Sequence, residues 1–183
     1  MTPRERALRV ILGNEAGYAN DRHDPGKETY RGISRRYHPE FVGWPRLDAL
    51  KARGLVPAPG MDDALDQAVY DFYYQEYIEP FAELPAPLLI GLADYAVHHG
   101  LDDAIRALQS ALKVKVDGDL GDATQAAARG AALLPIIFRI QELRARHMGN
   151  WIQERPPQRV RYVEGFMVRL VRVADEMVRA AVA

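Results

Sequence analysis

The chain has 183 residues, 48% hydrophobic and 27% charged, and its 24 basic and 25 acidic side chains leave a net charge of −1. That is enough chain to bury a core without staples, and too balanced a charge to point to nucleic acid. The absence of cysteine excludes disulfides, thiolate nucleophiles and sulfur-ligated zinc together.

The predicted elements begin with a helix from Thr2 to about Asn14. Thr2 and Glu5 have the spacing of a capping box, and Pro3 suits the first helical position. Leu8, Ile11, Leu12 and Glu15 fall on one face, which carries the glutamate toward the core. Residues 28–33 have brief β-prone character between glycines, long enough for a small hairpin. Ser34 is expected to cap a short helix that Pro39 interrupts, and Pro45 to start another through Leu47 and Leu50 to Gly54. A stronger helix runs from Asp62 to about Ile78 with Leu65, Ala68, Val69, Phe72 and Tyr73 on its apolar stripe. Pro85 and Pro87 open the next, which carries Leu88, Leu89, Leu92, Ala96 and His99 to Gly100.

Asp102 or Asp103 should cap a helix presenting Ile105, Leu108, Gln109 and Leu112. Asp117-Gly118 reads as a turn, and Asp122 caps a short alanine-rich helix. Two long helices follow, about Leu134 to Glu154 and Gln158 to Ala181, with a seam of Val163, Met167, Leu170, Ala174, Met177 and Ala181 on the last. From Arg139 onward nine arginines face five acids, a mildly basic pattern that a solvated helix face accounts for. The segment from Pro80 to Pro87 is the internal boundary, giving a lobe of residues 1–84 and a helical lobe of residues 85–183, packed as one unit.

Glu15 is the residue with the most chemistry. A carboxyl where an apolar helical stripe meets a polar Gly, Asp and Pro turn is partly desolvated, and desolvation raises its affinity for a proton. A solvated helix end is the plainer alternative on periodicity alone. Glycosidic cleavage needs a proton donor and a second oxygen-bearing group across the sugar. Asp24 and Thr29, nine and fourteen residues on, with Asp21 and Glu28 near them, could be folded back by a hairpin. A turn-forming role for Asp24 stands beside that reading.

The stretch Glu15-Ala16-Gly17-Tyr18-Ala19-Asn20-Asp21-Arg22-His23-Asp24-Pro25-Gly26-Lys27-Glu28-Thr29-Tyr30-Arg31-Gly32-Ile33-Ser34 resembles the signature of glycoside hydrolase family 108, the phage-type endolysins and related bacterial N-acetylmuramidases. Downstream, Asp94-Tyr95-Ala96-Val97-His98-His99-Gly100 resembles the family's Asp-x-Ala-Val-Asn-x-Gly. Ala104, Leu108-Gln109, Asp117-Gly118, Gly121 and Thr124 follow at spacings similar to its companion peptidoglycan-binding segment. Glu164-Gly165-Phe166-Met167-Val168-Arg169 is a fainter echo of a Gly-Trp-x-x-Arg element. Ala16, Lys27, Tyr30, Arg31 and His98 depart from the pattern.

The resemblance implies Glu15 as catalytic acid, Asp24 to position water or stabilise positive charge, and Thr29 to orient that water. The spacing of Glu15, Asp24 and Thr29 also resembles that of phage T4-type lysozyme, an analogy of inverting cleavage. Substrate contacts are expected at Tyr18, Asp21, Tyr30, Asp94 and His98. Of the aromatic run, Phe72 and Tyr73 fall on the buried stripe and Tyr74 and Tyr77 are groove candidates.

Other chemistries find no pattern. His98 and His99 point about 100° apart on a helix, and His23, His38 and His147 lack zinc spacing, so no metal is expected. Neither Ser34 nor Ser110 sits in a nucleophile elbow, and no phosphate-loop or dinucleotide fingerprint implies a cofactor.

The expected fold is lysozyme-like α+β, predominantly α, with a hairpin near the active cleft and packed C-terminal helices. The implied activity is cleavage of the β-1,4 bond between N-acetylmuramic acid and N-acetylglucosamine in peptidoglycan glycan strands by a monomer that binds no nucleic acid and does not insert stably into a membrane. A lytic transglycosylase and a non-catalytic wall-binding or secretion-accessory protein are the alternatives. No run of about 18 apolar residues is present, and Met1-Thr2-Pro3-Arg4-Glu5-Arg6 lacks the marks of a secretory signal. Synthesis in a cytoplasm, with action on the wall after holin-type or other release, is therefore expected.

Overall fold

Local signals start the first helix, α1 (Pro3–Asn14), where the reading expects it. The Thr2 amide donates to Glu5 Oε2 at 2.7 Å and the Glu5 amide to Thr2 Oγ1 at 3.2 Å, a closed capping box. The computed structural model describes residues 1–15, 17–20, 27–154 and 156–183. Its backbone divides into two units, Ile11–Glu76 and Met1–Val10 with Tyr77–Ala183. The second break falls just before the expected boundary near Pro80, and the first runs through α1.

In the Ile11–Glu76 unit a three-stranded antiparallel sheet forms from β1 (Tyr18–Asn20), β2 (Glu28–Tyr30) and β3 (Ile33–Ser34). Tyr18 pairs with Tyr30 and Ala19 with Thr29 on one side, and Tyr30 pairs with Ile33 on the other. Two residues, Arg31 (φ +46°) and Gly32 (φ +81°), close β2 to β3. Positive φ at both centres is the geometry of the tight hairpin turn that suits a right-twisted ribbon, and it explains the glycine. Ser34 belongs to β3 and does not cap a helix. Its carbonyl instead accepts from the amides of Tyr37 (3.2 Å) and His38 (2.9 Å), which makes a turn.

Helix α2 (Trp44–Ala52) carries Pro45 in its first turn, and α3 (Asp63–Tyr73) is capped by Asp62, whose carboxylate accepts from the Leu65 amide at 2.8 Å. α3 passes into a π-helical turn, Tyr74–Ile78, and a 3₁₀ turn, Glu79–Phe81. Glu28 ties the sheet to α2. Its carboxylate accepts from Tyr18 Oη at 3.0 Å and Lys51 Nζ at 2.5 Å and pairs with Arg35 at 2.7 Å.

The other unit is built on α4 (Ala86–His99), in which every residue from Pro87 to Ala96 is buried. A helix apolar all round belongs at the centre of a bundle. α5 (Leu101–Leu112), α7 (Leu133–Glu154) and α9 (Val163–Val182) pack on it. Between α7 and α9 lie α8 (Pro156–Arg159) and a 3₁₀ turn, Val160–Tyr162. Gly91 lets α9 come close, because a Cβ there would collide with the Met177 side chain. On α9 the buried side chains are Val173 and Met177, while Met167 is 51% exposed. The expected seam thus holds only over its C-terminal half and is centred on Val173.

Gly100 (φ +94°) ends α4 and precedes α5, so Asp102 and Asp103 lie in the first turn of α5 and do not cap it. Asp122 likewise opens α6 (Asp122–Gly130), with Gly121 as its cap. Gln109 fixes the loop between them. Its side-chain oxygen accepts from the amides of Asp117 (3.0 Å) and Gly118 (2.9 Å), and its nitrogen donates to the carbonyl of Asp119 (2.9 Å). The Leu108-Gln109, Asp117-Gly118 and Thr124 pattern therefore has a structural reason.

Candidate active site

Glu15 follows the last residue of α1 and is half-buried. It continues the row of Ala7 and Ile11, both fully buried, at four-residue spacing. The expected face is therefore turned slightly, with Ala7, Val10 and Ile11 innermost and Leu8 and Leu12 half-buried.

The glutamate side chain reaches the β2–β3 turn. A Cβ built on Gly32 would collide with Oε2 and Cδ of Glu15 and would lie 2.5 Å from the hydroxyl of Tyr73. Carboxyl and phenol therefore border the same point, directly over a glycine whose missing side chain leaves room for both. Tyr73, at the end of α3, is 1% exposed, and its hydroxyl donates to the carbonyl oxygen of Arg31 at 2.5 Å. A buried tyrosine needs a polar partner, and the turn supplies it. The Arg31 guanidinium lies 3.8 Å from Asp66 on α3.

Sequence reasoning placed Tyr73 only in the core and did not connect it with Glu15. The available signal was a tyrosine on an otherwise apolar stripe, whose hydroxyl had to be satisfied somewhere.

Thr29 alternates away from Glu28 and Tyr30 and shares its face of the sheet with Ala19 and Ser34. Asp24 and Asp21 lie outside the described residues. Tyr18 is half-buried and gives its hydroxyl to Glu28. Tyr30 is corrected as a substrate contact: it has no exposed surface and belongs to the core of its unit. Burial foremost, then Asp66, pushes its phenol pKa up. Tyr74 and Tyr77 are both half-buried within the π-helical turn.

Asp94 and His98 lie in the unit that holds α4. Asp94 is also corrected as a substrate contact, because it is 0% exposed and its oxygens face two arginines. Arg144 Nη2 lies 2.7 Å from Oδ2 and Arg169 Nη2 2.9 Å from Oδ1. Burial alone would push the Asp94 carboxyl up, but Arg144 and Arg169 together outweigh it and hold it below the usual carboxylate range. Two downstream motifs, those ending in Gly100 and Arg169, are thus joined by one buried ion cluster, and Arg144 is a member that sequence reasoning missed.

His98 is half-buried and lines a hollow of about 420 Å³ with His99, His147, Met148, Trp151 and Phe166. Its ring meets Phe166 edge-on at 4.7 Å. Among the described residues no group of three or more His, Asp or Glu is placed to hold a metal ion, and no helix is long and apolar enough to cross a membrane.

A mostly helical chain with a small antiparallel sheet and a half-buried carboxyl at the end of its first helix is a lysozyme-like α+β protein. The structure of Brucella abortus SagA is similar to it in fold, with a TM-score of 0.70 over 97% of this chain and 95% of that one at 24% identity. The chain belongs to the glycosyl hydrolase 108 family, whose model matches residues 8–100, just over half of its length, and it is a glycoside hydrolase. No curated protein matches it in sequence.

Proposed function

We propose that this glycoside hydrolase cleaves peptidoglycan at the β-1,4 bond between N-acetylmuramic acid and N-acetylglucosamine, with Glu15 as the general acid. The observation that carries the reading is the position of Glu15, half-buried against Gly32 and Tyr73 inside the segment matched by the family model. A carboxyl drawn out of water there favours its protonated form, which is the form that can donate to a leaving glycosidic oxygen.

In this reading Asp24 steadies the positive charge that develops on the sugar or positions the attacking water, and Thr29 orients that water. Tyr18, Asp21, Tyr74, Tyr77 and His98 remain proposed contacts along the glycan. The enzyme acts on the cell wall as a monomer, after holin-type or other release from the cytoplasm in which it is made.

Mass spectrometry of fragments released from purified peptidoglycan tests both the bond and the reaction. Fragments ending in a hydrated N-acetylmuramic acid are expected. Anhydro ends would overturn hydrolysis in favour of transglycosylation, and N-acetylglucosamine ends would overturn the choice of bond.

A further inference from the structure

Helices α4, α5, α7 and α9 border two adjoining hollows, both inside the unit that does not hold Glu15. The inner one, of about 420 Å³, is walled by His98, His99, Met148 and Phe166. The outer one, of about 470 Å³, opens past Tyr95, Ser110 and Asn150. His147 and Trp151 line both, so the two make one groove of the size that takes a ring-shaped ligand and its neighbour.

The inner wall is built ring on ring. Between centroids, His98 meets Phe166 at 4.7 Å, His99 meets His147 at 4.4 Å and Trp151 meets Phe166 at 5.6 Å. Two of these rings lack a partner for a polar atom: Nδ1 of His98 and Nε2 of His99 are buried with no hydrogen bond to any described residue. Such atoms are uncommon, because a polar group taken out of water without compensation is costly. A half-turn of either ring exchanges that nitrogen with a carbon position, so a ligand hydroxyl or amide in the hollow can supply the missing partner.

The charges select the kind of ligand. At the outer rim Arg106 is held by Asp102 at 2.7 Å, Arg146 by Glu142 at 2.9 Å and Glu154 by Arg159 at 2.8 Å. Asp103 faces His147 at 3.9 Å. An anion would therefore find the rim arginines already engaged. A cation in the inner hollow would approach Arg169 and Arg144, which together with burial keep the His98 ring uncharged. The ligand that fits both parts is neutral, with apolar ring faces for the aromatic wall and hydroxyl or amide edges for the imidazoles. A sugar ring has that chemistry.

We propose that this groove binds neutral acetamido sugars, so that the α4 unit holds glycan through His98, His147, Trp151 and Phe166, independently of the unit that carries Glu15. The choice of acetamido sugars rests on the reading of the protein as a peptidoglycan hydrolase. His98 and Phe166 stand where the resembled motifs have Asn and Trp, so the inner wall is particular to this chain.

The test is NMR of full-length Glu15→Gln protein titrated with the N-acetylglucosamine tetramer. The chain has two tryptophans. Trp151 reports the groove, and Trp44, whose indole donates to the His38 carbonyl at 2.7 Å, reports the other unit. The Trp151 indole and the His98 and His147 imidazole signals should move together along one saturating curve. Adding Trp151→Ala should weaken the binding seen at His147 by about tenfold or more. Trp151 and His147 signals that stay in place at millimolar tetramer overturn the proposal. So does a curve at His147 whose midpoint is unchanged in a folded Trp151→Ala protein, since the sugar then sits elsewhere. Should that variant not fold, the Trp151 and His147 signals of the parent decide alone. A free stem peptide that moves these signals where the tetramer does not would also overturn the sugar assignment. The two levels separate cleanly: if Glu15→Gln hydrolyses at the wild-type rate but the tetramer still moves Trp151, the groove stands and the role of Glu15 as acid falls.

Discussion

Glu15 packs directly over Gly32, so that a single carbon added to the glycine would occupy the place of the carboxyl. One residue of the hairpin turn therefore controls both the backbone and the space for the acid. Gly32→Ala would meet two penalties, a left-handed φ of +81° and the collision with Glu15 and Tyr73. The backbone alone should cost about 1–3 kcal/mol. The displaced carboxyl should also lower kcat well beyond any fall in the folded fraction. Urea unfolding together with kcat measured on the folded protein checks this, and a variant that is stable and fully active would contradict it.

The buried cluster of Asp94, Arg144 and Arg169 should behave asymmetrically. Asp94→Ala leaves two guanidiniums without their common anion and should cost about 3–5 kcal/mol. Arg169→Gln leaves Asp94 with Arg144 at 2.7 Å, a neutral pair, and should cost distinctly less. Urea midpoints of the two variants test the order, and equal losses would show that Arg144 and Arg169 do not share the carboxylate as described.

Acid should weaken the α4 unit before it reaches the carboxylates. Burial first, then Arg169 and Arg144, pushes the His98 imidazole down to about 4. Burial first, then His98 and Arg144, pushes His99 down to about 3. Both rings stay neutral in the folded protein at pH values where the unfolded chain takes up protons. The stability they confer is complete above about pH 6.5 and is lost as pH falls through that value toward 4. The loss is up to about 1.4 kcal/mol per unit for each ring. Asp94, held below the usual carboxylate range, adds its own loss only at lower pH. Urea midpoints at pH 7, 5.5 and 4 should fall in the wild type and fall less steeply in His99→Phe. Parallel slopes would contradict the account.

What the sequence made legible was local. The capping box at Thr2, the helix start at Asp62 and the glycine at the end of α4 each depend on residues within a few positions of one another. β1 escaped notice because three residues carry no alternating pattern and its order comes from pairing with β2. The Asp94 cluster was hidden for a related reason, since its arginines lie 50 and 75 residues away. On α9 two overlapping apolar rows compete, and only packing on α4 and α7 selects Val173. At the candidate site, Glu15 could be found from its helix and loop. Its contact with Gly32 and Tyr73 depends on a turn of positive φ that residue types alone suggest only through the glycine. Tyr30 looked like a sugar contact because it stands in the signature segment, but strand alternation turns it into the core.

The central claim is that Glu15 donates the proton that breaks a glycosidic bond. The direct measurement is release of reducing ends from purified peptidoglycan by wild type and Glu15→Gln, with folding of the variant confirmed by its circular dichroism. Loss of the acid should reduce the rate by about 10²–10⁴-fold with little change in wall binding. A folded Glu15→Gln enzyme that releases reducing ends at the wild-type rate would contradict the account.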